Sequence, residues 1–446
     1  MALNAAVMKA VEQLDYRVTV GDVATQAGLN VQVAQSDLLA LASETQAHLQ
    51  VSEAGEIAYE FPRNFRGILQ SKYWRLRLQQ TWEKVWNVLF YLIRISFGIL
   101  LLASIALIFI TIAILLIAMN SSRSDNDNGG GFGGSRGGGG GFIFVPRLWF
   151  GPDLFWFFHY DRGYRRQQPA RARTRTHNEL NFFEAIFSFL FGDGDPNADL
   201  EERRWQTIGT VIRNSGGVVV AEQIAPYLDD LGEGWSKEYE DYMLPVLSRF
   251  NGQPEVTPDG SLVYRFPELQ VTASDRHRAS SVSAYLKEFP RQFSVASSGQ
   301  IMLAVGLGAA NIIGALVLGN LLQDQALVAE LGGLVAFVDA IYWLLVAYGT
   351  AFLSIPLVRY FWVQWRNGKI ESRNESRQQR AIAFNRAGSE IQQKLSYAEQ
   401  FASRTVVNKD DLAYTTEQDL IEQEAEQREK LDAQWQKRLE DRSRPD

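Results

Sequence analysis

Apolar residues concentrate in three long runs, and polar residues dominate the rest of the chain. The first run, 95–119, has 25 uncharged residues, and the second, 301–322, has 22. The third, 331–358, has 28 residues and a single charge at Asp339. At about 1.5 Å per residue, each run is long enough to cross a hydrocarbon core of about 30 Å. The pattern predicts an integral membrane protein with about three transmembrane helices, the last two forming a helical hairpin.

Basic residues flank the first and third runs. Lys and Arg beside a span are retained on the cytoplasmic side, so both flanks predict cytoplasmic termini, which three crossings cannot provide. The aromatic stretch 142–158 contains two prolines and two charges, which favour a re-entrant or interfacial segment over a spanning helix. The number of crossings stays open. The flanking residues are Arg63, Arg66, Lys72, Arg75, Arg77 and Lys84 before the first run, and Arg359, Arg366, Lys369, Arg373, Arg377 and Arg380 after the third.

The residues before the first run show helical and then alternating patterns. Apolar spacing predicts helices over 5–14, 20–27 and 31–46, and alternation predicts a hairpin over 49–61, which is the winged-helix order. The same order recurs over 205–267. The two hairpins match at an offset of 205, and the identical pairs are Val51/Val256, Gly55/Gly260, Tyr59/Tyr264, Phe61/Phe266 and Pro62/Pro267. The sequence therefore predicts a duplicated winged-helix-like module.

Together these patterns predict a mainly α membrane protein with two winged-helix-like α+β modules, about three transmembrane helices and a charged helical C-terminal tail. The predicted segments are module 1 (1–62), a basic amphipathic connector (63–94), transmembrane helix 1 (95–119), a Gly-rich and aromatic/basic linker (120–180), a Phe-rich helix plus module 2 (181–269), a connector (270–300), transmembrane helices 2 (301–322) and 3 (331–358), and the tail (359–446).

The amino-acid composition excludes several kinds of chemical site. The 446 residues carry 44 Lys plus Arg, 51 Asp plus Glu and no cysteine, which excludes disulfides, thiolate metal sites and cysteine-ligated iron–sulfur clusters. The four histidines, at 48, 159, 177 and 277, form no ligand pair on one helix. Gly133–Gly137 matches the GxSxG pattern, but the surrounding glycine tract supplies neither the strand nor the helix that this motif needs. We predict no catalytic, cofactor-binding or metal-binding residue and no enzymatic activity.

The winged-helix-like modules are acidic. Residues 18–62 contain no Lys or Arg and six Asp or Glu, and residues 199–269 contain six basic and thirteen acidic residues. A helix that enters the major groove must neutralise phosphates, which these modules cannot do. We therefore predict protein contacts and no nucleic-acid partner.

Two sets of residues are candidate sites. In the segment NFFEAIFSFLFGDGDPN (181–197), Phe182, Phe183 and Phe187 lie on a short apolar helix expected to dock on the membrane surface or on a module. Asp193, Asp195 and Asn197 occupy positions 1, 3 and 5 of a calcium loop, but Ala198 and Arg204 stand where an EF-hand needs glycine and glutamate, so we predict a tight turn in which Asn197 or Asp199 caps the next helix.

The second set lies inside the membrane runs. Gly306, Ala310 and Gly314 recur every four residues and would let another helix, including that of a second copy, approach closely. Asp339 is costly in a bilayer unless it faces protein or water. A structural hydrogen bond from Asn311 to Asp339 is favoured over a transport pathway.

The segments Phe182–Asn197, Leu200–Trp205 and Leu412–Gln423 resemble a family of cyanobacterial and chloroplast membrane proteins whose plant members are often labelled as iron–sulfur-cluster biosynthesis proteins. The resemblance covers most of the chain, supplies no catalytic residue and implies a thylakoid or plasma membrane.

The function predicted from these features is a non-enzymatic scaffold or assembly factor that contacts a membrane protein complex and the lipid bilayer. A small-solute transporter or channel built on 301–358 is the alternative, and a membrane-tethered transcription regulator is the third possibility.

Overall fold

A computed structural model describes residues 4–72, 74–124, 181–233, 238–273, 281–386, 388–409, 412–425 and a few positions beyond 425. The predicted re-entrant stretch 142–158 and most of the predicted linker lie outside the described residues. The chain divides into two compact units. The α+β unit comprises Met1–Trp82, Asp195–Pro290 and Arg366–Asp446, and the helical unit comprises Glu83–Gly194 and Arg291–Trp365.

The first half of the α+β unit follows the element order predicted from the sequence. Thr19 and Asp22 form a capping box that starts α2, Gly28 ends it with a positive φ of 64°, and Asn30 caps α3 through its side chain. These local signals place the turns where the apolar spacing predicts them. The elements are α1 (Ala5–Gln13), β1 (Arg17–Val18), α2 (Val20–Ala27), α3 (Val31–Thr45), β2 (His48–Ser52), β3 (Ile57–Glu60) and α4 (Phe65–Lys72).

The second half repeats the order and register of the first. The strands are ordered β1-β3-β2 in one sheet and β4-β6-β5 in the other. His48 faces Glu60 in the first hairpin and Gln253 faces Arg265 in the second, at the offset of 205 seen in the sequence. The elements are α7 (Leu200–Asn214), β4 (Val218–Val219), α8 (Ala221–Ile224), α9 (Leu244–Phe250), β5 (Gln253–Val256), β6 (Leu262–Arg265), α10 (Pro267–Gln270) and β7 (Val271–Thr272).

The two halves share one hydrophobic core. Helix α2 lies against α7, where a methyl group at Gly209 would be 3.1 Å from Thr25 Cγ2. The backbone of Gly21 meets the carbonyl of Glu268 so closely that a Cβ at Gly21 would lie 2.0 Å from that oxygen. The two halves, which contain the segments predicted as modules 1 and 2, therefore form one folded body. Its buried apolar residues include Val11, Val23, Leu38, Phe65, Ile208, Ile212, Phe250 and Phe266.

The sequence predicts a helical tail over 359–446, but this segment contains strands as well as helices. Helix α15 (Ser389–Phe401) packs Ala398 on the second sheet, and the strand β8 (Thr405–Val406) pairs in parallel with β7. The strand β9 (Leu412–Thr415) then joins the first sheet as the neighbour of β2. Local patterning missed these strands because each pairs with a partner more than 130 residues away in sequence.

The helical unit contains α5 (Trp74–Ser124), which begins in the α+β unit, α6 (Phe182–Phe191), α11 (Ser298–Leu321), α12 (Gln325–Leu331) and α13 (Gly333–Ala340). It ends within α14 (Tyr342–Asn385). Three of these helices are long and apolar enough to cross a membrane, over Val85–Ser121, Ser298–Leu321 and Tyr342–Asn385.

The prediction of one transmembrane helix over 331–358 is wrong for the first third of this range. Gly332 and Gly333 adopt positive φ angles of 54° and 48° and break the helix there. A second interruption at Ile341 separates α13 from α14. Asp339 therefore lies in the last turn of a short helix, and the long helix begins only at Tyr342.

Candidate interaction and membrane-packing sites

The Phe-rich helix α6 docks on the long helices of the helical unit. Phe183 lies directly against Gly98 of α5, where a Cβ would be 2.5 Å from the Phe183 ring. Phe187 makes a ring contact with Phe97 at 5.9 Å, and the Arg94 guanidinium lies 5.6 Å from the Phe187 ring centre. The described contacts of these residues are with the long helices, and docking of α6 on the membrane surface stays a prediction. Phe182, also a candidate from the sequence, packs on a cluster of buried apolar residues formed by Leu101, Ile105, Ile186, Phe189, Leu190, Ala304 and Phe352.

Asp193 joins three segments of the helical unit just after α6 ends at Gly192. Its carboxylate accepts hydrogen bonds from the Ser188 hydroxyl at 2.5 Å, from the Val295 amide at 2.9 Å and from Arg94 at 2.9 Å. Gly192 has a positive φ of 82°, which turns the chain so that Asp193 can reach back to Ser188. The position predicted as part of a turn is the centre of a charge-assisted hydrogen-bond network.

A fourth segment reaches the same network through Arg359 of α14. Arg359 donates hydrogen bonds to the carbonyl of Ser188, at 3.1 Å, and to the carbonyl of Phe293. Ser188 and Ser294 also share a hydroxyl hydrogen bond of 2.6 Å. We name Arg94, Ser188, Asp193, Ser294 and Arg359 the Asp193 cluster. Sequence reasoning singled out only Asp193 as a site residue, because Arg94, Ser294 and Arg359 lie far from it in sequence.

Asp195 and Asn197 belong to the α+β unit and have local roles. The Asn197 side chain donates to the Phe289 carbonyl at 2.7 Å and accepts from the Phe289 amide at 2.8 Å. Asp195 accepts a hydrogen bond from the Asn197 amide at 3.0 Å. Asp199 is the N-cap residue of α7, one of the two predicted positions, and its side chain accepts a hydrogen bond from Arg203 at 3.0 Å and makes no capping hydrogen bond. Among the described residues, no group of three acidic or histidine side chains could hold a metal ion.

The small residues of α11 that allow close packing are only partly those predicted. Gly314 faces Ile108 of α5, where a Cβ would be 2.9 Å from the Ile108 side chain. Gly306 is exposed and has no described neighbour within 4 Å of a Cβ, and Ala310 is half-buried. Gly308 packs instead against Phe352 of α14 at 2.6 Å.

Asn311 makes the polar contact between the long helices, but not with the residue predicted. Its amide donates to the Ser104 hydroxyl of α5 at 2.7 Å. A methyl group at Gly349 of α14 would lie 2.7 Å from Asn311 Oδ1. The predicted hydrogen bond to Asp339 is wrong, because Asp339 lies on α13 and Asn311 is fully buried against α5 and α14.

One of the six acidic residues counted over 18–62 is not on the surface. Asp22 is buried and pairs with Arg213 of the second half at 2.6 Å. Its carboxylate also accepts from the amides of Thr19 and Ala273 at 2.9 Å and from the Thr272 hydroxyl at 3.0 Å. Asp22 therefore stabilises the shared core and takes no part in an acidic surface.

The exposed face of α3 carries no basic side chain. Val33 and Leu39 are the two large apolar residues on this face, 44% and 46% exposed. The other exposed residues on this face are the neutral Gln32, Gln35, Ser36 and Ser43. A face of this composition suits contact with another protein better than contact with phosphate.

Two buried ion-pair groups hold the C-terminal helices on the second half. Arg377 of α14 is almost fully buried, donates to Glu288 at 2.8 Å and also pairs with Asp229. Burial would raise the pKa of Glu288, but hydrogen bonds from Arg373 and the charge of Arg377 outweigh it and hold that pKa below its usual value. Charge counting along the sequence does not reveal such pairs.

The second group lies on α15. Lys394 contacts Glu222 at 3.0 Å and Glu240 at 3.3 Å. Burial would lower the pKa of Lys394, but its hydrogen bond to Glu222 and the charges of the two glutamates raise that pKa above its usual value. The Tyr264 hydroxyl donates to Glu240 at 2.7 Å and ties this pair to the second sheet.

The sequence is 40% identical to the uncharacterized chloroplastic protein At5g03900 of Arabidopsis thaliana over 450 residues. The alignment covers 98% of this chain and 82% of the plant protein. The chain belongs to the family of this chloroplast protein. No family model matches the sequence, and no solved structure matches the chain. The expected relation to a chloroplast family is confirmed, and the name of the plant protein carries no iron–sulfur assignment.

Proposed function

We propose that this member of the chloroplast protein family is a non-enzymatic membrane scaffold or assembly factor that binds a membrane protein complex through its α+β unit. The observation that carries the proposal is the neutral, partly apolar face of α3, where Val33 and Leu39 are exposed and no cation is present. Apolar side chains with a polar surround are typical of protein contact surfaces.

The element order supports reading the two halves of the α+β unit as winged-helix-like modules. Each half has helices followed by a two-stranded hairpin, and a short strand pairs with the second hairpin strand in both. In such modules α3 is the recognition helix, so the face that would read DNA in a regulator is here free of basic residues.

The proposed setting is a thylakoid or plasma membrane of a phototroph, including cyanobacteria. The chloroplastic relative and the three apolar helices support it. The clusters of six Lys or Arg before the first span and after the third favour cytoplasmic termini. A homo-oligomer would pack on α11 where Gly306 is exposed, since a residue without a side chain lets a second helix approach closely.

The test is co-purification of the full-length protein from membranes in mild detergent, after brief cross-linking. A double variant, Val33→Glu with Leu39→Glu, places charge on the α3 face. We expect it to lose a stoichiometric membrane-protein partner that the wild-type chain retains. Val256→Glu is the control, because Val256 is an exposed valine on β5 of the second half, 62% exposed against 44% for Val33.

Retention of the same partners by all three proteins, at equal yield, would contradict the α3 face as the docking surface. Absence of any stoichiometric partner from the wild-type sample would contradict the scaffold proposal as a whole. Because both substituted side chains are exposed, we expect thermal unfolding of the double variant to match that of the control.

The alternative, a transporter or channel on 301–358, has one specific observation in its favour. Asn311 Oδ1 is buried between the long helices and has no hydrogen-bond partner among the described residues. Uptake by proteoliposomes tests it. A flux that depends on the protein and is lost in Asn311→Leu, but kept in Asp339→Asn, would favour transport over scaffolding.

A further inference from the structure

The Asp193 cluster fixes one end of every long helix in the helical unit at the same level. Arg94 lies near the start of the first span, and Arg359 lies 17 residues after Tyr342, at the end of the apolar part of α14. Val295 and Ser294, which immediately precede α11, bond to Asp193 and Ser188. Charged groups of this kind are expensive in a hydrocarbon core, so in a membrane this cluster marks the headgroup level.

The opposite ends of the helices meet at a second level. From Arg94, α5 continues for 27 residues to Ser121, about 40 Å at 1.5 Å per residue. Leu115 of α5 packs in one cluster with Leu318 and Leu322 at the end of α11. Gly319 meets the Tyr342 ring at the start of α14. The two levels are therefore separated by about the thickness of a bilayer core.

The boundaries between the helical unit and the α+β unit lie near the first level in the described part of the chain. Its four junctions follow Trp82, Gly194, Pro290 and Trp365. Gly194 directly follows Asp193, Pro290 is four residues before Ser294, and Trp365 is six residues after Arg359. In the first span, Glu83 precedes Arg94 by eleven residues, on the side away from Ser121.

We propose that every segment of the α+β unit joins the helical unit at one membrane face, the face marked by the Asp193 cluster. The first span starts at this level, and Asn181 starts α6, which packs on α5 beside Gly98 near the same level. The basic flanks before the first span and after the third would then lie on one side, as their Lys and Arg residues predict.

This inference rests on the proposed membrane insertion, and the cysteine-free chain gives a direct test. Single cysteines replace four exposed residues: Ser36 in the first half, Asp259 in the second, Ser389 in the C-terminal third and Ser121 at the second level. An impermeant maleimide is applied to sealed right-side-out and inverted membrane vesicles. We expect Ser36→Cys, Asp259→Cys and Ser389→Cys to react from one side, and Ser121→Cys from the other.

Reaction of Ser36→Cys and Asp259→Cys from opposite sides would overturn the inference. Reaction of Ser121→Cys from the same side as the other three would overturn it as well. Membrane insertion itself is measured separately by extraction with alkaline carbonate. Release of the wild-type protein by carbonate would overturn the proposed insertion, whereas retention with the wrong labelling pattern would overturn only the shared membrane face.

Discussion

The two halves of the α+β unit have the same element order but hold the C-terminal third of the chain in different ways. In the first half, β9 pairs with the free edge of β2, and backbone hydrogen bonds make the contact. In the second half, β8 pairs with β7 outside the hairpin sheet, and buried ion pairs add to this contact, since Arg377 pairs with Glu288 and Lys394 pairs with Glu222 and Glu240. A C-terminal strand therefore extends the hairpin sheet of the first half but not that of the second, where buried charge also holds the C-terminal segment.

The equivalent strands show why the sheet edges differ. Leu49 of β2 donates its amide to the Thr416 hydroxyl at 2.9 Å and accepts from the Thr416 amide at 3.0 Å. At the offset of 205 the matching residue in β5 is Pro254, which has no N–H to donate. Proline is a common means of protecting a sheet edge from another strand. Within the described residues, β5 has β6 as its single neighbour.

The halves also differ at the start of their second helices. In the first half the charged Asp22 accepts from the Thr19 amide, and in the second the neutral Gln223 accepts from the Val220 amide at 3.0 Å. Asp22 carries the additional pair with Arg213, so the first half contributes the buried charge that joins the two halves. Both halves thus keep a side-chain cap at the start of the second helix, but only the cap residue of the first half also pairs with the other half.

The largest expected effect follows from breaking the buried pair on the second half. Arg377→Met leaves Glu288 buried with only the more exposed Arg373 as its partner. Breaking one side of a buried pair typically costs about 3–5 kcal/mol of unfolding free energy. Pulse proteolysis in urea, on the full chain in detergent, measures the loss. Arg373→Met is the control, and an equal loss in both variants would contradict a special role for the buried arginine.

A smaller effect is expected at the strand contact of the first half. Thr416→Pro removes both hydrogen bonds to Leu49, and each such bond contributes about 0.5–1.5 kcal/mol. We expect faster hydrogen exchange at the Leu49 and Val51 amides and no change in β5. Thr416→Ser keeps the hydroxyl and the amide and serves as control. Unchanged exchange at β2 would show that β9 does not protect this edge.

The sequence predicted local features well and long-range ones poorly. The second span was predicted at 301–322 and lies at Ser298–Leu321, because a long apolar run determines a helix by itself. The hairpin register at the offset of 205 was also predictable, since Gly55 and Gly260 both adopt φ of 84° in the turn. By contrast, the strand β9 could not be predicted, since its pairing partner lies more than 350 residues away.

The candidate sites show the same limit. Asp193 was identified from a local motif, but its partners Arg94 and Arg359 come from helices far apart in sequence. Counting charges also placed Asp22 on an acidic surface, although burial against the second half decides its role. Apolar periodicity describes one element at a time and contains no information about which elements meet.

A further expected effect concerns acid stability of the second half. The pKa of Glu288 is lowered from its ordinary 4.5, so its pairs stabilise the folded state above that value and this stability is lost as the pH falls through the folded pKa. Glu288→Gln removes this contribution. We expect the urea midpoint of the wild-type chain to fall more steeply between about pH 5 and pH 3 than that of the variant. Parallel pH profiles for the two proteins would contradict the assignment.

The smallest expected effect concerns nucleic-acid binding. We expect neither half of the wild-type protein to bind duplex DNA. The α3 face has no basic side chain, and residues 199–269 carry seven more acidic than basic residues, counted as thirteen against six. A recognition helix must neutralise phosphates to bind duplex DNA at physiological salt. Fluorescence anisotropy with the full chain in detergent and a mixed-sequence duplex measures this binding.

A double variant, Gln32→Lys with Gln35→Lys, tests whether charge alone is missing from the α3 face. We expect weak, salt-sensitive binding to appear in that variant only. Sub-micromolar, salt-sensitive binding by the wild-type protein would instead favour a membrane-tethered regulator over the scaffold.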